Sequence, residues 1–244
     1  MKDIQCLIIA IAALANVFAW ELAAKPTREQ IIECLEEANK VEWEAREKVN
    51  LVERFGSDFS GLDLSGIHFR VPYVRGIASG ADFSHCNMQG ITFDHMSLED
   101  CNFSNADLTN AKFLFCSLDN ADFSHVQLHQ TQFAGTDMLN VLFTDLNVAT
   151  CRFDGTDFSA AKLMNTDFSQ ATVIHGRFSR ADLSGANLSN ITLWYAKFQD
   201  ATGCALGARF WRFDGKFRRG RLIFDRESRS MKPSEKGKQV SEQL

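Results

Sequence analysis

Large apolar residues recur at every fifth position through the middle of the chain. Written in blocks of five from Ala81, the sequence runs without a slip for 24 blocks to Asp200. The third residue of every block is Phe, Leu, Met or Val, the first carries no charge, and the second is polar in 23 of the 24 blocks, Leu142 being the exception. A period of five fits neither an α-helix, which repeats every 3.6 residues or so, nor a flat strand, which repeats every two.

Each block instead predicts a short straight side and a corner. One small and one large side chain point inward, and Ser, Asn, Asp or Gly residues form the turn that follows. Four such sides close a square coil of about 20 residues, and stacked coils hydrogen-bond at the ordinary strand spacing of about 4.8 Å. The predicted fold class is an all-β solenoid with a packed central column. An earlier coil is predicted over 57–76, followed by a shortened side or small bulge over 77–80.

The blocks ADLTN at 106–110, ADLSG at 181–185 and ANLSN at 186–190 resemble the repeat of the pentapeptide-repeat family, A-(D/N)-(L/F)-x-x. The resemblance covers residues 57–203 and implies a right-handed quadrilateral β-helix, here of about seven coils. It also implies one specific activity, because some family members imitate an acidic DNA duplex and occupy the DNA groove of type II topoisomerases.

The flanking segments predict covers for the two ends of the rod, since an open β-helix end exposes unpaired backbone and apolar side chains. Residues 26–56 predict a helical N-terminal cap, with Thr27 and Gln30 as a capping box. Residues 204–225 predict a C-terminal cap, in which residues 214–215 suit the turn of a hairpin. The stretch 226–244 lacks aromatic residues and predicts a disordered basic tail.

The N-terminal segment 1–25 contains an uncharged stretch from Ile4 to Trp20. Three interpretations stay open: a cleaved signal peptide, a membrane anchor within residues 4–24, or a buried capping helix. The first two place the protein in a periplasmic or lumenal compartment or at a membrane, and the alternative is the cytoplasm. Seven cysteines argue against export, because a secreted protein with many unpaired thiols is uncommon.

Charge and residue spacing disfavour both an enzyme and a nucleic-acid binder. Segment 57–203 carries a net charge of −8 and segment 204–244 carries +6, within a total of −5. An acidic rod argues against nucleic acid as the main partner. No two of the six histidines are separated by one full coil, and no phosphate loop, zinc helix or nucleophile elbow is present. The sequence therefore predicts no catalytic residue, metal or cofactor.

Two outward surfaces are candidates for protein contact. The aromatic face consists of apolar residues at positions expected to be hydrophilic, which mark a contact surface unless the terminal segments cover them. The acidic strip is a neighbouring set of carboxylates whose column turns basic at Arg177 and Lys197. It is either a docking strip or an ordinary solvated surface. The aromatic face is Leu114, Phe115, Ile174, Trp194 and Tyr195, and the acidic strip is Glu99, Asp100, Asp119, Asp137 and Asp157.

The function predicted from these patterns is a non-enzymatic interaction module, a rigid rod presented to a protein partner that the sequence does not identify. Self-association is a further option. The alternative is a DNA-mimicking topoisomerase-binding protein in the cytoplasm, against which the apolar leader and the basic terminal segment both argue.

Overall fold

The computed structural model describes residues 25–40, 49–70 and 76–203, together with four strands beyond residue 203. Two helices precede the solenoid, α1 (Arg28–Lys40) and α2 (Leu51–Phe55). The strands are β1 (His68–Arg70), β2 (Gly76–Ile77), β3 (Thr92–Asp94), β4 (Met96–Ser97), β5 (Lys112–Leu114), β6 (Gln132–Ala134), β7 (Arg152–Asp154), β8 (Thr172–Ile174), β9 (Thr192–Trp194), β10 (Phe210–Phe213), β11 (Lys216–Arg219), β12 (Leu222–Asp225) and β13 (Ser230–Pro233).

The chain is an all-parallel β-solenoid with four five-residue sides per coil, which confirms the predicted fold class. Side C carries the regular strands, and β1, β3, β5, β6, β7, β8 and β9 pair in that order. The other three sides are joined from coil to coil by single bridges, such as Asp82 to Asn102 on side A, except where β2 pairs with β4 on side D. From residue 81 onward, each residue aligns with the residue four blocks later, as Phe113 does with Phe133. We name the sides by their first blocks: A begins at 81, B at 86, C at 91 and D at 96.

The interior is a column of stacked side chains. All 24 third-position residues from Phe83 to Phe198 are buried. Phenylalanine rings stack along opposite sides A and C, as in Phe113 over Phe133 at 5.0 Å between centroids and 4° between planes. Beyond Phe153 the rings move to sides B and D, where Phe178 stacks on Phe198 at 4.7 Å. Dispersion and apolar burial summed over this column stabilise the rod.

Small polar residues complete the sides and corners. At twelve second positions an Asp or Asn side chain accepts a hydrogen bond from the backbone N–H two residues later, as Asp122 does from Ser124. These Asx turns lead into the fifth position, which has a positive φ in 23 of the 24 blocks. Glycine, Asn and Asp are frequent there because they adopt this conformation at the least cost.

The first coil departs from the predicted frame. Asp58 bridges Asp82, which lies 24 residues later and not the regular 20. Gly76, by contrast, pairs with Met96 at the regular spacing of 20 residues. Residues 76–80 therefore form a full side with Ala78 buried at its centre, and the shortened side predicted over 77–80 is wrong. The spacing to the next coil is 24 residues at Arg70 and 20 residues at Gly76, and residues 71–75 lie outside the described part of the chain. The sequence does not identify 76–80 as a side because its third residue, Ala78, is small, whereas the later sides have a large apolar residue there.

Helix α1 covers the first coil. Thr27 and Gln30 form the predicted capping box, with reciprocal bonds of 2.8 and 3.2 Å. Throughout the rod, second- and fourth-position carbonyls accept from the preceding coil, so the first coil has acceptors that no earlier coil can satisfy. Two cations meet this need: Lys25 Nζ donates to the carbonyl of Ser60, and Arg28 donates to the carbonyls of Asp63 and Ser65.

The C-terminal strands continue the sheet of side C. Strand β10 pairs in parallel with β9, aligning Trp211 with Leu193, and β11 pairs antiparallel with β10 across residues 214–215. Strand β12 pairs antiparallel with β13. Ser230–Pro233 thus forms a strand inside the segment predicted to be disordered. The sequence lacks a clear strand signal there because the pairing partner, rather than an apolar alternation, fixes it.

Candidate protein-interaction surface

The aromatic face lies on side C and on the corner that follows it. Leu114, Ile174 and Trp194 are outward and half-buried on β5, β8 and β9, and the strand register places Ile174 beside Trp194. Phe115 and Tyr195 occupy the fifth position, at the corner between sides C and D, where they are 59% and 44% exposed. The coil repeat aligns these side chains along side C and one corner in two groups three coils apart, Leu114 with Phe115 and Ile174 with Trp194 and Tyr195.

The fifth positions of side C form a column along the corner between sides C and D, and this column contains aromatic ring pairs that the sequence analysis missed. His95 lies 5.1 Å from Phe115 between ring centroids, and His175 stacks on Tyr195 at 4.9 Å with 6° between planes. Between the pairs the column has two glycines, Gly135 and Gly155. The available signal was the fifth-position column itself, in which His175 and Tyr195 are one coil apart.

The two glycines differ in what lies over them. The Phe115 ring folds onto Gly135, so that a Cβ atom there would come within 2.6 Å of Phe115 Cδ1. A Cβ atom at Gly155 would meet only the Gly135 backbone, at 3.6 Å. The corner therefore has a ridge at each end and a notch at Gly155.

The described parts of the terminal segments do not cover Phe115 and Tyr195. Lys25, which precedes helix α1, and Arg28, at its start, contact the first coil on sides A and B. Strand β10 adds to the edge of β9, with Arg212 aligned with Trp194. Within the described residues, Phe115 and Tyr195 keep their exposure with both elements in place.

The acidic strip lies on side D and its following corner. Bridges join Ser117, Asp137, Asp157, Arg177 and Lys197 in successive coils, which places the change of sign between Asp157 and Arg177. Arg177 forms an ion pair with Asp157 at 3.2 Å. On the corner, the Asn120 amide donates to the Asp100 carboxylate at 3.0 Å.

Mutual repulsion within the strip is visible at Asp119. Burial raises the pKa of its carboxyl group, and the charges of Asp137, Glu99 and Asp157 raise it further, against a hydrogen bond from the Leu139 N–H at 2.9 Å. Four of the five predicted residues therefore act on one another electrostatically, as members of a single cluster.

Glu99 is held by hydroxyl groups. Partial burial opposes its ionisation, but hydrogen bonds from Ser79, Ser97 and Ser117 outweigh that effect and lower its pKa to about 2. The Ser79 hydroxyl donates to Glu99 Oε2 at 2.5 Å, and the Ser97 hydroxyl donates to the same atom. Three successive coils thus converge on one carboxylate.

We expect Glu99→Gln to lower the free energy of unfolding by about 1–2 kcal/mol at neutral pH, because partly exposed charged hydrogen bonds are lost. A depressed native pKa stabilises the fold above the unfolded-state pKa of about 4.5 and loses that effect toward pH 2. Urea unfolding of wild type and variant across this interval should show the difference shrinking as pH falls. A difference that grows on acidification would contradict the hydroxyl cluster. Asp100→Asn, which removes a carboxylate bonded to one amide, is the control and should cost less at neutral pH.

The cysteines within the described residues are buried thiols that form no disulfide: Cys34, Cys86, Cys101, Cys116 and Cys151. Burial raises the pKa of Cys86 to about 11 and those of Cys101 and Cys151 to about 12. First-position thiols donate to a carbonyl of the preceding coil, as Cys151 does to Leu128 at 2.7 Å, and Thr131 donates in the same way to Leu108 at 2.8 Å. Cysteine and threonine at first positions thus share one structural role.

Two further features bear on chemistry and location. Nowhere in the described part of the chain do three or more His, Cys, Asp or Glu side chains come together as potential metal ligands. None of the described helices has the length and apolar character needed to cross a membrane. The leader predicted over residues 1–25 lies outside the described residues, apart from Lys25.

Comparison with known proteins places this geometry in a family. The family described as "Pentapeptide repeat region" matches residues 79–153, and "Pentapeptide repeats (8 copies)" matches residues 151–190 and 177–202. The chain belongs to the pentapeptide-repeat family. The matched residues span coils that have the four-sided parallel geometry described above.

Solved pentapeptide-repeat structures are similar at low identity. HetL from the cyanobacterium Nostoc sp. strain PCC 7120, involved in heterocyst differentiation regulation, is 15% identical over 57% of this chain and 75% of its own, with a TM-score of 0.38. A trypsin-treated variant of QnrB1, a plasmid-mediated fluoroquinolone resistance protein, is 21% identical over 59% of this chain and 66% of its own, with a TM-score of 0.31. A pentapeptide-repeat protein from the Arabidopsis thaliana thylakoid lumen is 22% identical over 54% of this chain and 68% of its own, with a TM-score of 0.19. No curated protein matches the sequence.

Proposed function

We propose that this pentapeptide-repeat protein is a non-enzymatic scaffold that presents a rigid rod to a protein partner, with the aromatic face as the contact surface. The observation that carries the proposal is the exposure of Phe115 and Tyr195 on one corner, since they are two of the three large apolar side chains that are exposed among the described residues. The two rings lie at the two ends of this corner, four coils or about 19 Å apart at the strand spacing. Exposed aromatic side chains are typical of protein-binding surfaces. Leu114, next to Phe115, and Ile174, on the strand beside Trp194, add apolar surface on side C, with Ala134 and Asp154 between them.

The packed interior supports a display role. Third-position side chains fill the rod from coil to coil, so chemistry and recognition are left to the outward columns. Those columns are fixed in register by bridges on every side, which keeps a surface of this kind preorganised for binding.

The charge pattern favours a protein partner over DNA mimicry. A duplex presents one sign of charge along its whole length, whereas the side D column changes from Asp137 and Asp157 to Arg177 and Lys197 within four coils. We therefore do not extend the proposal to topoisomerase binding.

We further propose export, or retention at a membrane, through the apolar leader. The uncharged stretch from Ile4 to Trp20 supports this, and burial of the rod thiols removes part of the objection based on cysteine content. Terminal sequencing of the mature protein tests it. A start near Trp20, or an intact leader in the membrane fraction, is expected, and an intact Met1 in the soluble cytosolic fraction would overturn it.

A matched pair of substitutions tests the contact surface. Leu114→Asp places a charge in the aromatic face, and Leu142→Asp places the same charge at a half-buried outward position on the opposite side A. Proteins captured by the wild-type rod should be lost with Leu114→Asp and kept with Leu142→Asp, and binding should be reproduced with the purified partner. Equal capture by both variants would reject the aromatic face. Unfolding curves of both variants check that the rod is intact.

A further inference from the structure

Side D has an order of charges that is complementary to itself. Four successive second positions are Asp137, Asp157, Arg177 and Lys197, and the bridges place them about 4.8 Å apart along the rod. The sign changes halfway, between the second and the third. A surface with this order attracts a reversed copy of itself, which is the arrangement that a two-fold interface requires.

The two-fold rotation axis that brings opposite charges together lies in the plane of side D and runs parallel to its strands. It passes between the coil of Asp157 and the coil of Arg177. A half-turn about this axis reverses the order of the coils and leaves each column facing itself. Asp157 then faces Arg177 of the second copy, and Asp137 faces Lys197 of the second copy. Symmetry repeats both contacts, so four contacts between opposite charges cross the interface. The two central ones join the Asp157–Arg177 ion pairs that each copy already forms.

The corner between sides C and D fits the same axis independently of charge. The half-turn places the protruding His175 opposite Gly155 of the second copy and Tyr195 opposite Gly135 of the second copy. Gly155 is the notch of this corner, since only backbone lies near it. Over Gly135, Tyr195 of the second copy meets the exposed Phe115 ring, so an aromatic contact forms where the glycine itself is covered.

The remaining outward columns of side D also tolerate this pairing. Ser159 faces Ser179 of the second copy, which keeps the centre of the contact free of bulky side chains. On the far corner, Asn140 faces Asp200 of the second copy, an amide against a carboxylate. Across the described residues of these columns, no two like charges face one another.

Neighbouring registers are disfavoured. Moving the axis by half a coil spacing places Asp157 or Arg177 opposite its own symmetry copy, and moving it by a full spacing places two acids or two bases opposite each other. Contacts between like charges are strongly unfavourable. The charge order therefore favours one alignment of the two copies and disfavours the neighbouring alignments.

From these observations we propose that the protein forms an antiparallel two-fold dimer through side D, in which Asp137 and Asp157 of one copy bind Lys197 and Arg177 of the other. The dimer goes beyond the partner proposed for the aromatic face. It buries Phe115 and Tyr195, which that face also uses, but Leu114 and Ile174 lie outside the dimer contact, and the charged residues of side D lie outside the aromatic face. A failure of the dimer and a failure of that partner are therefore distinguishable.

Charge exchange in the full-length protein tests the dimer. The acid-reversed variant is Asp137→Lys with Asp157→Lys, and the base-reversed variant is Arg177→Asp with Lys197→Asp. By sedimentation equilibrium, each alone should dimerise roughly a hundredfold more weakly than wild type, whereas their equimolar mixture should form heterodimers. The variant with all four substitutions is again self-complementary and should dimerise. Wild-type dimerisation should weaken about tenfold or more between about 50 mM and 500 mM salt.

The outcomes against the proposal are equally specific. A wild type that stays monomeric at low salt up to its solubility limit would overturn it, as would a mixture of the reversed variants that stays monomeric. If the reversed variants fail to fold, disulfide trapping decides. Ser159→Cys mixed with Ser179→Cys should give a covalent heterodimer, and Ser189→Cys on side B should add nothing to the wild-type background. Equal trapping at both sites would reject the two-fold contact.

Discussion

Replacement of Phe143 by Asp is expected to unfold the middle of the rod, at a cost of more than about 5 kcal/mol. The Phe143 side chain is fully buried on side A, and its ring contacts Phe123 at 5.4 Å and Phe153 at 6.5 Å between centroids. A carboxylate placed among these rings lies in a dry apolar column and loses its hydration. Because each coil is stabilised by its neighbours, the damage spreads to the coils above and below.

Thr144→Asp is the matched control, one residue later in the chain and outward. It introduces the same charge at a half-buried surface position and should change the free energy of unfolding by less than about 0.5 kcal/mol. Denaturant unfolding followed by circular dichroism measures both variants. Similar losses of stability in the two would contradict the assignment of third positions to the interior.

The fold was predictable because its physical basis is periodic. Every third-position residue from Phe83 to Phe198 is buried. Twenty-four large apolar residues at a constant spacing of five can be buried together in a coil whose sides are five residues long. The same reasoning failed at Ala78, where the inward residue is small and the frame is therefore not marked by hydrophobicity. Backbone register, set by the pairing of Gly76 with Met96, decides that position.

Details that depend on hydrogen-bond direction were beyond the sequence. First-position Cys151 and Thr131 look like a small hydrophobe and a polar residue, yet both donate to a carbonyl of the preceding coil. Lys25 and Arg28 look like ordinary surface cations, and their role follows only when the carbonyls at the open end are known to point toward them.

The candidate surfaces were predictable as columns but not as shapes. The coil repeat places Ile174 beside Trp194 and Asp137 beside Asp157, which the strand register and the bridges show. The notch at Gly155 was invisible, because it depends on the Phe115 ring lying over Gly135 and not over Gly155. Side-chain rotamers at corners carry no signature in a repeat pattern.

A second large effect is expected at the end of the rod, where Ile31→Asp should detach helix α1 and open the first coil. Ile31 is fully buried and belongs to the same apolar core as Leu35 and the first coils. A charge at that position removes the docking surface of the helix, and with it Arg28 as a donor to the carbonyls of the first coil. We expect a local destabilisation of about 2–4 kcal/mol.

Hydrogen exchange distinguishes this end effect from the Phe143 variant. The amides of Phe59, Gly61 and Leu64, which bond to the second coil, should exchange faster in Ile31→Asp, while those of the central coils stay protected. Glu33→Asp, an exposed position on the same helix, should leave both groups unchanged. Loss of protection along the entire rod would contradict this prediction and show that the coils unfold as one unit. A loss of protection confined to the first coil is expected, because each coil is stabilised only by contacts with its neighbours. The cap would then protect the end of the rod and contribute little to its middle, where the rings on either side of Phe143 stabilise each coil.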